Sequence, residues 1–225
     1  MPNQSQLTEL LQFTGNDLIQ KNLAWGNAGN ASARLDEDTC LITASGTRFG
    51  ELTNDSFACC SLSGKAPARG GKPSKEWPMH RAVYLERPET GAVIHAAPYY
   101  STFAACSGMK VPSELFVETM YYLERVERVP YCHPGSQQLA DQVRKKARYA
   151  NVLLLENHGV LVFDETVNEA KNALEVLEIA CKMVVTAKQS RIELNRLPAS
   201  SVQSFLEESG YKKRREWPED DRSHS

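Results

Sequence analysis

Val152-Leu153-Leu154-Leu155-Glu156-Asn157-His158-Gly159-Val160-Leu161-Val162-Phe163 is the stretch that settles how this chain folds. Two short apolar runs, rich in leucine and β-branched residues, flank Asn157-His158-Gly159. Runs of this kind read as strands buried on both faces, and Asn and Gly between them read as a tight turn. The expectation is a buried strand over 152–155, a turn that carries His158, and a second strand over 160–163.

Outward from there, 92–96 reads as a strand, and the apolar stretch 102–106 fits helix or strand. Short strands are expected over 33–35, 39–43 and 57–62, with the Gly- and Asn-dense turn 25–32 before them and a basic, Gly/Pro-rich loop over 64–73 after them. Leu7, Leu10, Leu11, Leu18 and Ile19 recur at helical spacing and predict a helix to about residue 22. A helix is expected over 78–86, where Pro78 suits a first turn. A long amphipathic one is expected over 166–190 and a short one over 201–208. Strands and helices alternate without strict βαβ order, and several strands are only a turn apart. That predicts an α/β protein with a mixed or antiparallel sheet covered by helices. No repeat or separating linker is visible, so one domain over 1–225 is expected, with a flexible, charged tail from about 212.

The chain has 225 residues, enough for a full hydrophobic core, and its net charge of -2 gives no reason to expect nucleic acid as a partner. No apolar run is long enough to span a bilayer. The Met1-Pro2-Asn3-Gln4-Ser5-Gln6 start has neither the basic nor the apolar part of a secretory signal. The six cysteines fit no zinc motif and read as reduced, mostly buried thiols of a cytoplasmic protein.

Three polar residues stand out. Glu76, in Ser74-Lys75-Glu76-Trp77, opens a helix; His95 sits on an apolar strand; His158 sits in the turn between two buried strands. Each has a plainer use: Glu76 as a capping carboxylate, His95 as a core histidine bonded to a carbonyl, His158 as an ordinary turn residue. Together they suit a mononuclear divalent-metal site, because such ligands come from separate elements and meet only on folding. The turns Gly29-Asn30-Ala31-Ser32 and Thr43-Ala44-Ser45-Gly46, with Ser74 and Lys75, add amides and a cation fit for an anion.

These stretches, with Pro98-Tyr99-Tyr100-Ser101-Thr102 after His95 and Glu156-Asn157-His158-Gly159-Val160, resemble in order and spacing the class II aldolase/adducin family. Its type members are zinc-dependent L-fuculose-1-phosphate and related sugar-phosphate aldolases. The resemblance implies a three-layer α/β/α sandwich around a mostly antiparallel sheet, in a homotetramer with active sites between subunits. It implies a metal-dependent lyase that cleaves a small phosphorylated sugar by a retro-aldol step through a metal-held enediolate, with Zn²⁺ or another divalent ion such as Mn²⁺. Glu76 falls on the acid/base, and His95 and His158 on metal ligands. Asn30, Ser45, Gly46, Ser74 and Lys75 fall on the phosphate site, and Tyr211 is nearest to a C-terminal tyrosine that reaches the neighbouring subunit. Glutamate at position 76 matches the aldolases better than the related epimerases, which carry aspartate. One departure matters: the family's second strand histidine is replaced by Ala97, whose methyl cannot bind metal. The open outcomes are a site of Glu76, His95, His158 and water; His133 as a substitute, with His80 less suited because it points toward the helix interior; or loss of the metal in a non-catalytic, adducin-like module. A decarboxylase or dehydratase on the same scaffold is the alternative activity.

Overall fold

The computed structural model describes residues 3–65 and 68–218. In chain order the elements are α1 (Gln4–Gln20), β1 (Asn30–Arg34), β2 (Thr39–Thr43), β3 (Phe57–Ser61), β4 (Arg69–Gly70), α2 (Trp77–Glu86) and β5 (Ala92–Ala96). There follow α3 (Tyr99–Ala105), α4 (Val117–Tyr122), β6 (Val126–Val129), α5 (Gln137–Ala147), β7 (Val152–Leu155), β8 (Gly159–Asp164), α6 (Val167–Ser190) and α7 (Ala199–Glu208). One eight-stranded sheet runs in the order β4-β3-β2-β1-β5-β8-β7-β6. Every pairing is antiparallel except β6 with β7.

The sheet is the middle of three layers. Ala92, Ile94 and Ala96 of β5 belong to the core that α1, α3 and α6 cover, whereas Val93 belongs to the second core, under α2 and α5. Strand residues alternate between faces, so His95 shares the face of Val93, toward α2. By the same rule Asn30 and Ser32 of β1, paired with His95 and Val93, face α2 as well. The long α6 buries Ala170, Leu174, Leu177, Ala180, Cys181 and Val184 on the opposite face. Among the described residues, no helix is long and apolar enough to cross a membrane.

The strands expected over 152–155 and 160–163, the helix over 166–190 and the mixed sheet are all present. The ambiguous stretch 102–106 is the end of a helix, α3. Some expectations shift. Asn30 is not a turn residue; β1 starts there, because its pairing with His95 draws it into the sheet. The loop over 64–73 contains the two-residue β4. Three elements between 117 and 147 were not expected. Of these, β6 is Val-Glu-Arg-Val, whose half-exposed charges hide a strand at the sheet edge.

Candidate metal centre

Three elements deliver the site. Glu76 occupies the cap position of α2 yet makes no capping bond with its side chain. Instead the Ser74 hydroxyl accepts the Glu76 backbone N–H at 3.2 Å, and the carboxylate turns inward. His95 comes from the middle of the sheet. His158 comes from the β7–β8 turn, where Asn157 takes a left-handed conformation at φ 54° and Gly159 lies at φ 158°. A side chain at Gly159 would put a Cβ 2.7 Å from the Ala96 carbonyl oxygen and 3.3 Å from His95 Cε1. Only glycine lets β8 begin that close to the strand that carries His95.

The three side chains converge, with one ligand atom from each lying within 4.8 Å of the others. Glu76 Oε2 is 3.4 Å from His95 Nε2, and Glu76 Oε1 is 3.2 Å from His158 Nε2. The two imidazoles meet edge-on, with centroids 4.7 Å apart. His95 Nδ1 is 2.9 Å from the Val160 carbonyl oxygen. A carbonyl only accepts, so Nδ1 carries the hydrogen and Nε2 of the neutral ring presents a lone pair to a carboxylate. Burial holds the His95 pKa down, which keeps that ring neutral. Two acceptors aimed at each other in a buried pocket repel unless a cation lies between them. Glu76 Oε1 and His158 Nδ1 are also buried and lack a hydrogen-bond partner among the described residues. This donor set fits a divalent ion. Two imidazoles and a carboxylate make three protein ligands and leave coordination positions open, as catalytic sites do, and the Val160 carbonyl supplies the outer contact that orients a ligating histidine. Burial alone would raise the Glu76 pKa, whereas the contact with His158 and the bond from Asn30 lower it.

The anion-binding candidates gather on the adjoining rim. Ser45 N–H donates to the Lys72 carbonyl at 2.8 Å, Ser74 N–H donates to Thr43 at 3.2 Å, and Ala44 bridges to Pro73. The 43–46 turn and the start of α2 therefore lie side by side, with Gly46 in a left-handed conformation at φ 88° and Lys75 exposed. Asn30 also reaches the cluster. It is buried, its amide donates to Glu76 Oε2 at 2.8 Å, and its oxygen lies 2.6 Å from His80 Nε2.

His133 stays outside the cluster, exposed, with Nδ1 3.3 Å from the Tyr131 hydroxyl. Tyr211 packs against the rings of Tyr121 and Phe205 and does not reach the cluster of its own chain. Ala97 offers only its carbonyl, which accepts the Trp25 indole N–H at 2.8 Å. Ser32, His80 and Tyr84, which sequence reasoning did not assign to the site, lie behind Asn30 in one hydrogen-bonded series. Their signal was present: polar residues at helical spacing on α2 and at alternate positions on β1, both on faces that must be buried.

Residues 9–185 match the family model described as "Class II Aldolase and Adducin N-terminal domain". The chain belongs to the class II aldolase and adducin family. It is 32% identical over 188 residues to 3-oxo-tetronate 4-phosphate decarboxylase of Haemophilus influenzae, covering 82% of this chain and 89% of that protein. It is 34% identical over 164 residues to 5-methylthioribulose-1-phosphate/5-deoxyribulose-1-phosphate aldolase of Escherichia coli, covering 73% and 76%. The solved structure of YgbL from Klebsiella pneumoniae superimposes with a TM-score of 0.83 at 31% identity, over 91% of this chain and 100% of that one. The chain is thus a class II aldolase-like enzyme with the family's fold, and its candidate metal cluster of Glu76, His95 and His158 has no imidazole at Ala97.

Proposed function

We propose that this enzyme cleaves a carbon–carbon bond in a small phosphorylated hydroxycarbonyl compound by a retro-aldol reaction, with Zn²⁺ or a similar ion such as Mn²⁺ held by Glu76, His95 and His158. The observation that carries the proposal is the bare His95 Nε2 facing the Glu76 carboxylate, beside a second imidazole whose Nε2 lies 3.2 Å from Glu76 Oε1. When bound, the ion supplies a Lewis acid for the substrate carbonyl oxygen. The remaining work falls to the chain. Cleavage removes the proton of the β-hydroxyl, breaks the bond between the α and β carbons, and returns a proton to the α carbon. Glu76, buried beside both imidazoles, is the group that moves the α-carbon proton. The Ser45–Gly46 turn, Ser74 and Lys75 hold the phosphate, and remote binding of that group positions the reacting carbon. Tyr211 serves the aldehyde oxygen from a neighbouring subunit, which places the sites at subunit interfaces, in a homotetramer on our reading. Its 40% exposure and the exposed Tyr99, Phe103, Ile179 and Ile192 support such an assembly.

A second reading rests on the decarboxylase similarity: loss of CO₂ from a phosphorylated 3-oxo acid leaves the same electron pair beside the same carbonyl. Incubating metal-loaded enzyme with a phosphorylated ketose and, separately, with a phosphorylated 3-oxo acid separates the two. Aldehyde release from the ketose supports the first, and CO₂ release without aldehyde replaces it by the second. Less than about one-tenth of an equivalent of ion bound per chain after incubation with Zn²⁺ or Mn²⁺ overturns both, since each needs the Lewis acid.

A further inference from the structure

Behind Glu76, helix α2 and strand β1 present two polar rows to each other. Glu76, His80 and Tyr84 recur every four residues on the helix, about 6 Å apart, and Asn30 and Ser32 recur every two on the strand, about 6.6 Å apart. The near-equal spacing lets the rows interleave. Ser32 Oγ is 2.8 Å from His80 Nδ1 and 2.9 Å from the Tyr84 hydroxyl, and His80 Nε2 is 2.6 Å from Asn30 Oδ1. Asn30 Nδ2 donates to Glu76 Oε2 at 2.8 Å. His80 is 0% exposed and Tyr84 is 2% exposed, so no water offers an alternative partner.

The direction of every bond in this series follows from the carboxylate. Ionised Glu76 only accepts, so the Asn30 NH₂ faces it and the Asn30 oxygen faces His80. His80 Nε2 must then carry the hydrogen, Nδ1 must accept from Ser32, and the remaining Ser32 lone pair accepts from Tyr84. We propose that Tyr84, Ser32, His80 and Asn30 form a one-way hydrogen-bond relay that fixes the Glu76 carboxylate by a bond to Oε2 and so sets the direction in which its remaining lone pairs face the two imidazoles. These are positioning residues that act through Glu76, so the functional part of the proposal rests on the reading of Glu76 given above. Aligned dipoles in such a series strengthen one another, so that changing a distant member is felt at Glu76.

The test uses the full-length protein labelled with ¹⁵N-histidine. At neutral pH the ring nitrogen shifts of His80 are expected to show the neutral form with hydrogen on Nε2. A ring with hydrogen on Nδ1, or a doubly protonated ring, overturns the relay. In the second arm, Co²⁺ affinity is read from the visible spectrum. Asn30→Ala is expected to weaken Co²⁺ binding about tenfold or more, and Ser32→Ala about threefold with the His80 preference for Nε2–H reduced, as changes to outer-shell partners do. Melting temperature is followed for each variant. A fall in melting temperature with unchanged Co²⁺ affinity in both variants assigns these residues to stability alone and overturns the proposal. Neither arm needs turnover. Wild-type protein that binds Co²⁺ with the expected tautomer yet cleaves neither substrate refutes the proposed reaction and leaves the relay standing.

Discussion

The two ends of β8 place buried charge in opposite ways. At the Asp164 end, one carboxylate oxygen pairs with Arg215 and the other accepts the Glu165 backbone N–H at 2.8 Å. Arg215 also donates to the Tyr121 carbonyl at 2.7 Å and lies 4.2 Å over the Tyr121 ring. At the Gly159 end, Glu76 Oε1 and His158 Nδ1 have no hydrogen-bond partner among the described residues, and His95 Nε2 points a lone pair at a carboxylate. A satisfied buried charge holds a fold together. A cluster of acceptors turned on one another is costly, and it persists when a ligand supplies the missing partner. The Asp164 pair also ties the stretch after Tyr211, expected to fray, to the sheet: Lys212 pairs with Glu169 and Arg214 with Glu124.

The contrast can be broken most sharply at the Gly159 end. Glu76→Gln keeps the shape and removes the acid/base group, and kcat is expected to fall about 10³-fold. Turnover within tenfold of wild type would strip Glu76 of that role. At the other end, Arg215→Ala leaves Asp164 buried without its cation. The expected loss is about 3 kcal/mol of unfolding free energy in a urea titration, with metal content per folded chain unchanged. A loss below about 1 kcal/mol would show that this pair is replaceable by water.

A third measurement uses pH. Burial, opposed by Glu76, lowers the His80 pKa from 6.5 to about 3. Between those values the unfolded chain binds a proton that the folded chain refuses. This contribution is therefore whole above pH 6.5 and is lost as pH falls toward 3, with a slope of up to about 1.4 kcal/mol per pH unit. His80→Gln should flatten the acid-side decline in melting temperature, and an unchanged profile would mean that His80 is protonated in the folded protein. The smallest effect is expected at the exposed rim, where Lys75→Ala should raise KM for a phosphorylated substrate about tenfold and change kcat less. Equal KM values would remove Lys75 from the anion site.

Much of this protein is legible in its residues. The apolar runs around Asn157-His158-Gly159 and the period of 167–190 dictate buried strands and an amphipathic helix, since each pattern can bury its apolar atoms in only one way. The order of the polar motifs was enough to indicate the family, later shown by the match over residues 9–185. Other features depend on contacts between residues distant in the chain. Burial of α4 and β6 is decided by neighbours in the sheet and helices, not by a strong local pattern, whereas α5 carries its own signal in Ser136 and the spaced Leu139, Ala140, Val143 and Ala147. Whether Glu76 caps its own helix or turns to meet two imidazoles depends on how far α2 sits from β5. Asn30 offers donor and acceptor alike as a sequence letter. Only the tertiary structure, by placing Glu76 on one side of it and His80 on the other, decides which way its amide points and which residues it serves, because a hydrogen bond is satisfied by position in space and carries no trace along the chain.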